Sequence, residues 1–89
     1  MNMKTNPKRK SDLVWREVGG EIAIISPDNK HLHTLNDVGS RIWQLLDGEN
    51  DLSAIADIIS AEYEEEEEVV ELDLAEYVEN LRRLKLLEG

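Results

Sequence analysis

The sequence predicts an α+β fold, a three-stranded antiparallel sheet packed on three helices, and three observations carry that expectation. Two β-prone runs, residues 13–18 and 21–25, flank the pair Gly19-Gly20, and glycine tolerates the positive φ that a tight hairpin demands. Ser26-Pro27-Asp28-Asn29 is a second turn, delivering the chain into His31-Leu32-His33-Thr34-Leu35 and completing a meander. From Asn36 onward apolar residues recur at helical spacing. A three-stranded sheet does not bury its apolar face alone, so the three helices must cover one side.

The first helix is expected over about residues 37–46. Asn36 is a good N-cap, because its amide oxygen accepts from free N–H groups of the first turn. Val38, Ile42, Leu45 and Leu46 form one apolar stripe, and Gly48 can take the left-handed conformation that closes the helix. Trp43 is expected in the core or against the hairpin, and Trp15 likewise. The second helix is expected over about 52–64, starting near Asp51 or Ser53, with Leu52, Ile55, Ile58, Ile59 and Tyr63 on one side. The third is expected over about 74–84, with Asp73 and Glu76 forming an Asp-x-x-Glu variant of the capping box. Leu74, Tyr77, Val78, Leu81 and Leu84 are its apolar stripe. Between these helices, residues 64–68 are five consecutive glutamates. Their mutual repulsion predicts a mobile or partly helical, solvated connection, and they lack the spacing of a calcium loop.

Eighty-nine residues make one small domain. Residues 1–11 carry almost nothing apolar and read as a disordered basic tail, leaving 12–89 as the folded unit. The tail's Lys4, Lys8, Arg9 and Lys10 are expected to be solvated, contact with an anionic partner being the other reading. There is no cysteine, so neither disulfides nor thiolate metal sites hold the chain. No apolar run is long enough to span a membrane and no secretory signal opens the chain, so a cytoplasmic protein without a membrane partner is expected. The net charge of −10 is unevenly spread. Residues 1–46 hold seven basic and five acidic side chains, whereas 47–89 hold three basic and fifteen acidic. Such a second half repels phosphate backbones, so nucleic acid is not an expected partner. It favours instead a peptide or enzyme surface carrying Lys or Arg.

Catalytic chemistry is not apparent. His31 and His33, the two histidines, stand two apart on the expected third strand and so share one face. A zinc site would need a third ligand that nothing in the sequence supplies. Ser, Thr and Tyr are scattered without a matching base, and Gly19-Gly20 is too short for a phosphate cradle. No catalytic, cofactor-binding or metal residue is assigned, no cofactor is expected, and the chain is not read as an enzyme.

Leu35-Asn36, then Ile42-Trp43-x-Leu45-Leu46-Asp47-Gly48, later Asp73-Leu74-x-x-Tyr77-Val78-x-x-Leu81, and finally Leu84-Lys85-Leu86-Leu87 form an ordered set. It resembles the PqqD family, small proteins also called recognition elements for ribosomally made, post-translationally modified peptides, over roughly residues 12–87. The resemblance implies a winged helix-turn-helix type of arrangement. It implies binding of a precursor peptide's leader segment by strand addition, and its presentation to a separate modifying enzyme, for example of the radical-SAM type. The positions that would meet the leader are His31, Leu32, His33 and Thr34 on the strand, with Tyr77, Asn80, Leu81, Leu84 and Lys85 on the last helix. Leu81 and Leu84 read more readily as core than as groove, and Tyr77 stands between the two. Lys85 occupies a place where the family usually has glycine, which predicts a longer last helix. The second turn lacks the Tyr-Pro-Glu-Gly wording associated with pyrroloquinoline quinone synthesis, so radical-SAM or lasso-type peptide pathways fit as well. A free strand edge leaves a monomer and a weak homodimer both open. The rival readings are an adaptor subunit that meets no leader and a winged-helix DNA binder.

Overall fold

The computed structural model describes residues 3–88; Met1, Asn2 and Gly89, at the ends of the expected tail and domain, lie outside the described residues. Strands β1 (Val14–Val18), β2 (Glu21–Ile25) and β3 (Leu32–Leu35) form an antiparallel sheet in the order β1-β2-β3. Helices α1 (Asp37–Leu45), α2 (Leu52–Tyr63) and α3 (Glu67–Arg83) follow. Gly19 and Gly20 have φ of +60° and +86° and join Val18 to its partner Glu21. Two positive φ values in a two-residue loop match the twist of the strands they connect.

Strand alternation sets the two faces of the sheet. Ile22, Ile24 and Leu35 point into the core, while Val14, Ile25 and Leu32 stand exposed and opposite one another on the outer face. Trp43 of α1 is fully buried, and the half-exposed Trp15 ring meets it edge-on at 6.0 Å. Asn36 accepts from Gly39 N–H at 2.8 Å and Asp51 from Ala54 N–H at 2.7 Å, so both helix starts are capped by side chains and Asp51 rather than Ser53 begins α2. α1 itself stops at Leu45 with Leu46 as its cap, and Gly48 takes its left-handed φ of +83° two residues further on.

A buried hydroxyl joins helix to sheet. Ser40 Oγ accepts from Ile22 N–H at 2.9 Å and donates to Leu35 C=O at 3.2 Å. Ile22 and Leu35 are strand partners, so the hydroxyl ties α1 to the last rung of the β2–β3 ladder. Ser40→Ala leaves both backbone groups short of a partner and is expected to cost about 1–3 kcal/mol, read from urea unfolding.

Three expectations are corrected. Residues 3–10 are not a loose tail. Leu52 N–H donates to Thr5 C=O and Ser53 N–H to Met3 C=O, Gly48 N–H to Pro7 C=O, Arg9 N–H to Leu46 C=O and Glu88 N–H to Lys8 C=O, at 2.8–3.1 Å. Several of these partners are groups that helix ends leave unpaired, so backbone hydrogen bonding orders a segment with almost no apolar side chains. Next, α3 begins at Glu67, about two turns before the expected start, and Asp73 and Glu76 lie inside it. Val70 extends the buried stripe of Leu74, Val78 and Leu81, and Glu67 and Glu68 sit at the positive end of the helix dipole. The other glutamates form the connection, with Glu64 left-handed at φ +54°. Finally, α3 is not prolonged by Lys85, which takes φ +62° just after the Leu84 cap. That conformation is costly for a residue with a Cβ, so Lys85→Gly is expected to raise stability by about 1 kcal/mol, seen as a higher urea midpoint.

Candidate functional site

Strand β3 has one paired side and one open side. In an antiparallel pair, residues alternate between those whose N–H and C=O face the partner strand and those that face away. Ser26 N–H bonds His31 C=O at 2.9 Å, and Ile24 pairs with His33. His33 therefore spends its backbone groups on β2, while those of Leu32 and Thr34 point to the free edge. The start of the strand is fixed by a turn: His31 N–H donates to Ser26 Oγ at 3.1 Å, Lys30 N–H to Asp28 Oδ1 at 3.0 Å, and Asn29 takes φ +60°. The Ser26 hydroxyl bonds Asp28, and with the Lys30 amide it holds that carboxyl below its ordinary value.

Helix α1 packs directly on β2 and β3, whereas α3 packs chiefly on α2. A groove of about 620 Å³ is left between the start of β3 and the end of α3, lined by Ser26, Pro27, Asp28, His31, His33, Arg83, Leu84 and Lys85. Four residues expected at a peptide site meet there: His31, His33, Leu84 and Lys85. His31 precedes the strand rather than lying in it, and its ring stacks on His33 with centroids 6.4 Å apart. Leu84 is 41 % exposed and forms the apolar wall.

The other five are distributed differently. Leu32 and Thr34 turn their side chains to the outer face of the sheet and offer the open edge only through backbone. Leu81 is core. Tyr77 is half-buried and donates to Gly39 C=O at 3.0 Å, fastening α3 to α1, and burial pushes its phenol up. A Cβ at Gly39 would lie 3.2 Å from that hydroxyl. Asn80 is exposed and accepts from Arg83 at 3.0 Å. Sequence reasoning missed Ser26, Pro27, Asp28 and Arg83 as lining residues, although Arg83 neighbours Leu84 and the turn feeds β3 directly.

A second pocket, of about 420 Å³, lies between α1, α2 and the first half of α3, lined by Val38, Ile42, Ile59, Tyr63, Glu65, Val69, Val70, Asp73 and Leu74. Among the described residues, no group of three or more His, Cys, Asp or Glu could hold a metal ion, and no helix is long and apolar enough to cross a membrane.

These features define a class, a small α+β domain whose edge strand stays open beside its last helix. The family model for Coenzyme PQQ synthesis protein D (PqqD) matches residues 21–87, and the chain belongs to the PqqD family. Among solved structures, it is similar to TbiB1 in complex with the TbiA(beta) leader peptide. Sequence identity is 33 % and the TM-score 0.83, over 92 % of this chain and 95 % of that one. It also shares the fold of the PqqD truncation of Methylobacterium extorquens PqqCD, described as a functional, stand-alone recognition element for ribosomally synthesized and post-translationally modified peptides. That match has 22 % identity and a TM-score of 0.76, over 93 % of this chain and 88 % of that one. No curated protein sequence matches the chain.

Proposed function

We propose that this chain binds the leader segment of a ribosomally made precursor peptide and presents it to a separate modifying enzyme. The observation that carries this reading is the free backbone edge at Leu32 and Thr34 beside a groove with an apolar wall. An extended peptide gains main-chain hydrogen bonds from such an edge and side-chain selectivity from such a groove. TbiB1, the 33 % identical relative, was solved with a leader peptide. His31, His33, Leu84 and Lys85 would face the leader's side chains, Asn80 would lie at the margin, and Tyr77 and Leu81 would support the groove from behind.

The receiving enzyme is proposed to be a peptide-modifying catalyst, with the radical-SAM type one class that fits. The proposed setting is the cytoplasm, where precursors are translated. The working form is proposed to be a monomer, or a weak dimer in which two β3 edges pair. Duplex DNA is disfavoured, because α3 carries six acidic and two basic side chains and would face about one negative charge per 1.7 Å.

A heteronuclear NMR titration with a candidate precursor peptide encoded nearby tests the reading. Shifts concentrated at residues 31–35 and 83–85 are expected. No shifts with any candidate, while a partner protein perturbs the same residues, would make the chain an adaptor.

A further inference from the structure

The two pockets carry opposite charge and lie along the same helix. At the end formed by β3 and the last turn of α3, Arg83 and Lys85 stand with His31 and His33 around Leu84 against one carboxylate, Asp28, which bonds Ser26 and the Lys30 amide and lies 3.7 Å from His31 Nδ1, so two cations face one anion. At the other end, Glu65 and Asp73 line a pocket whose Val38 and Val69 are exposed to 37 % and 45 %. Val69, Asp73, Asn80 and Leu84 fall on one flank of the helix by their spacing, so the two pockets open along the same flank of α3, on either side of the Tyr77–Gly39 contact, within reach of one extended peptide. The helix dipole opposes this polarity with about half a charge at each terminus, which the full charges of these side chains outweigh. The net charge of −10 does not erase it either, since exposed charges beyond about 8 Å are screened at physiological salt.

Resting on the leader-binding reading above, we propose that the groove selects peptides by charge order. An Asp or Glu side chain of the peptide meets Arg83 and Lys85, and an apolar residue flanked by Lys or Arg enters the Val38–Asp73 pocket. At 1.5 Å per residue, the helix carries the two pockets roughly 20 Å apart, the span of about six extended residues. This narrows the electrostatic expectation from composition: basic peptide residues belong at one end of the groove only.

The test is selection of random twelve-residue peptides on the immobilised full chain, followed by affinity measurements with synthetic copies of the enriched peptides. Enriched peptides are expected to carry an acidic residue about six positions from an apolar–basic pair. R83E/K85E is expected to weaken such a peptide roughly three- to tenfold, and replacing the peptide's acidic residue by Lys is expected to restore binding. The neutral R83Q/K85Q chain, milder at the helix end, is expected to show an intermediate loss. Enriched peptides without charge order, or affinities indifferent to these variants, overturn the charge proposal. If such binders still protect the Leu32 and Thr34 amides, strand addition stands without it. Failure to enrich any peptide, or binders that leave β3 untouched, overturns both.

Discussion

A Thr34→Pro chain is expected to fold and to lose peptide binding, by roughly tenfold or more in affinity. Proline removes an N–H and adds a ring where that N–H pointed. At position 34 the lost donor faces the free edge and not β2, so the sheet ladder is untouched, and edge strands tolerate proline on their outward side. An incoming strand loses one backbone hydrogen bond, worth about 0.5–1.5 kcal/mol, and meets the ring as an obstacle, which together reach the tenfold mark of about 1.4 kcal/mol. His33→Pro is the control with the opposite signature, because the His33 amide belongs to the pairing with Ile24. It is expected to destabilise the fold itself. Calorimetric titration and thermal unfolding of the two variants separate binding from stability.

Arg9→Ala is expected to cost about 2–4 kcal/mol in urea unfolding, a large effect for a surface-accessible residue. The last turn of α1 contains no basic residue of its own. Arg9 supplies one from the N-terminal segment, its Nη1 donating to Trp43 C=O at 2.7 Å and Gln44 C=O at 3.0 Å. The same guanidinium lies 5.5 Å from the Trp15 ring centroid and 6.0 Å from that of Trp43. Replacement with alanine removes charged hydrogen bonds to helix-end carbonyls and a cation from two aromatic faces. It also loosens residues 3–10, whose carbonyls serve the first N–H groups of α2. Arg9→Lys keeps the charge but not the planar fork, and is expected to recover only part of the loss.

What was legible in the sequence follows the range of the interactions. Gly19-Gly20, Asn36 and Asp51 act on their immediate neighbours, so hairpin and caps could be read directly. The stripe from Leu74 to Leu81 likewise announced a buried helix face. The order of residues 3–10 was not legible, because it depends on partners some forty to eighty residues away in the chain, which meet its backbone, Arg9, Met3 and the buried Pro7 only once the domain is folded. The start of α3 was hidden by the glutamate run, whose local repulsion is outweighed by the burial of Val70. Lys85 concealed a left-handed turn that glycine would have advertised. At the site, the positions on β3 and at the end of α3 came from the family resemblance, and four of them, His31, His33, Leu84 and Lys85, line one groove. Ser26, Pro27, Asp28 and Arg83 were not expected, since they join the groove only when the β2–β3 turn folds against the last turn of α3. The division between Leu32 and Thr34, which offer backbone, and His33, which offers its side chain, follows from register, which pairing partners fix.

Backbone capture at the edge of β3 is tested most directly by amide hydrogen exchange in the chain saturated with a bound leader peptide. Strongly slowed exchange is expected at Leu32 and Thr34, with His33, already committed to β2, little changed. Unchanged exchange at Leu32 and Thr34 in the saturated complex would contradict it.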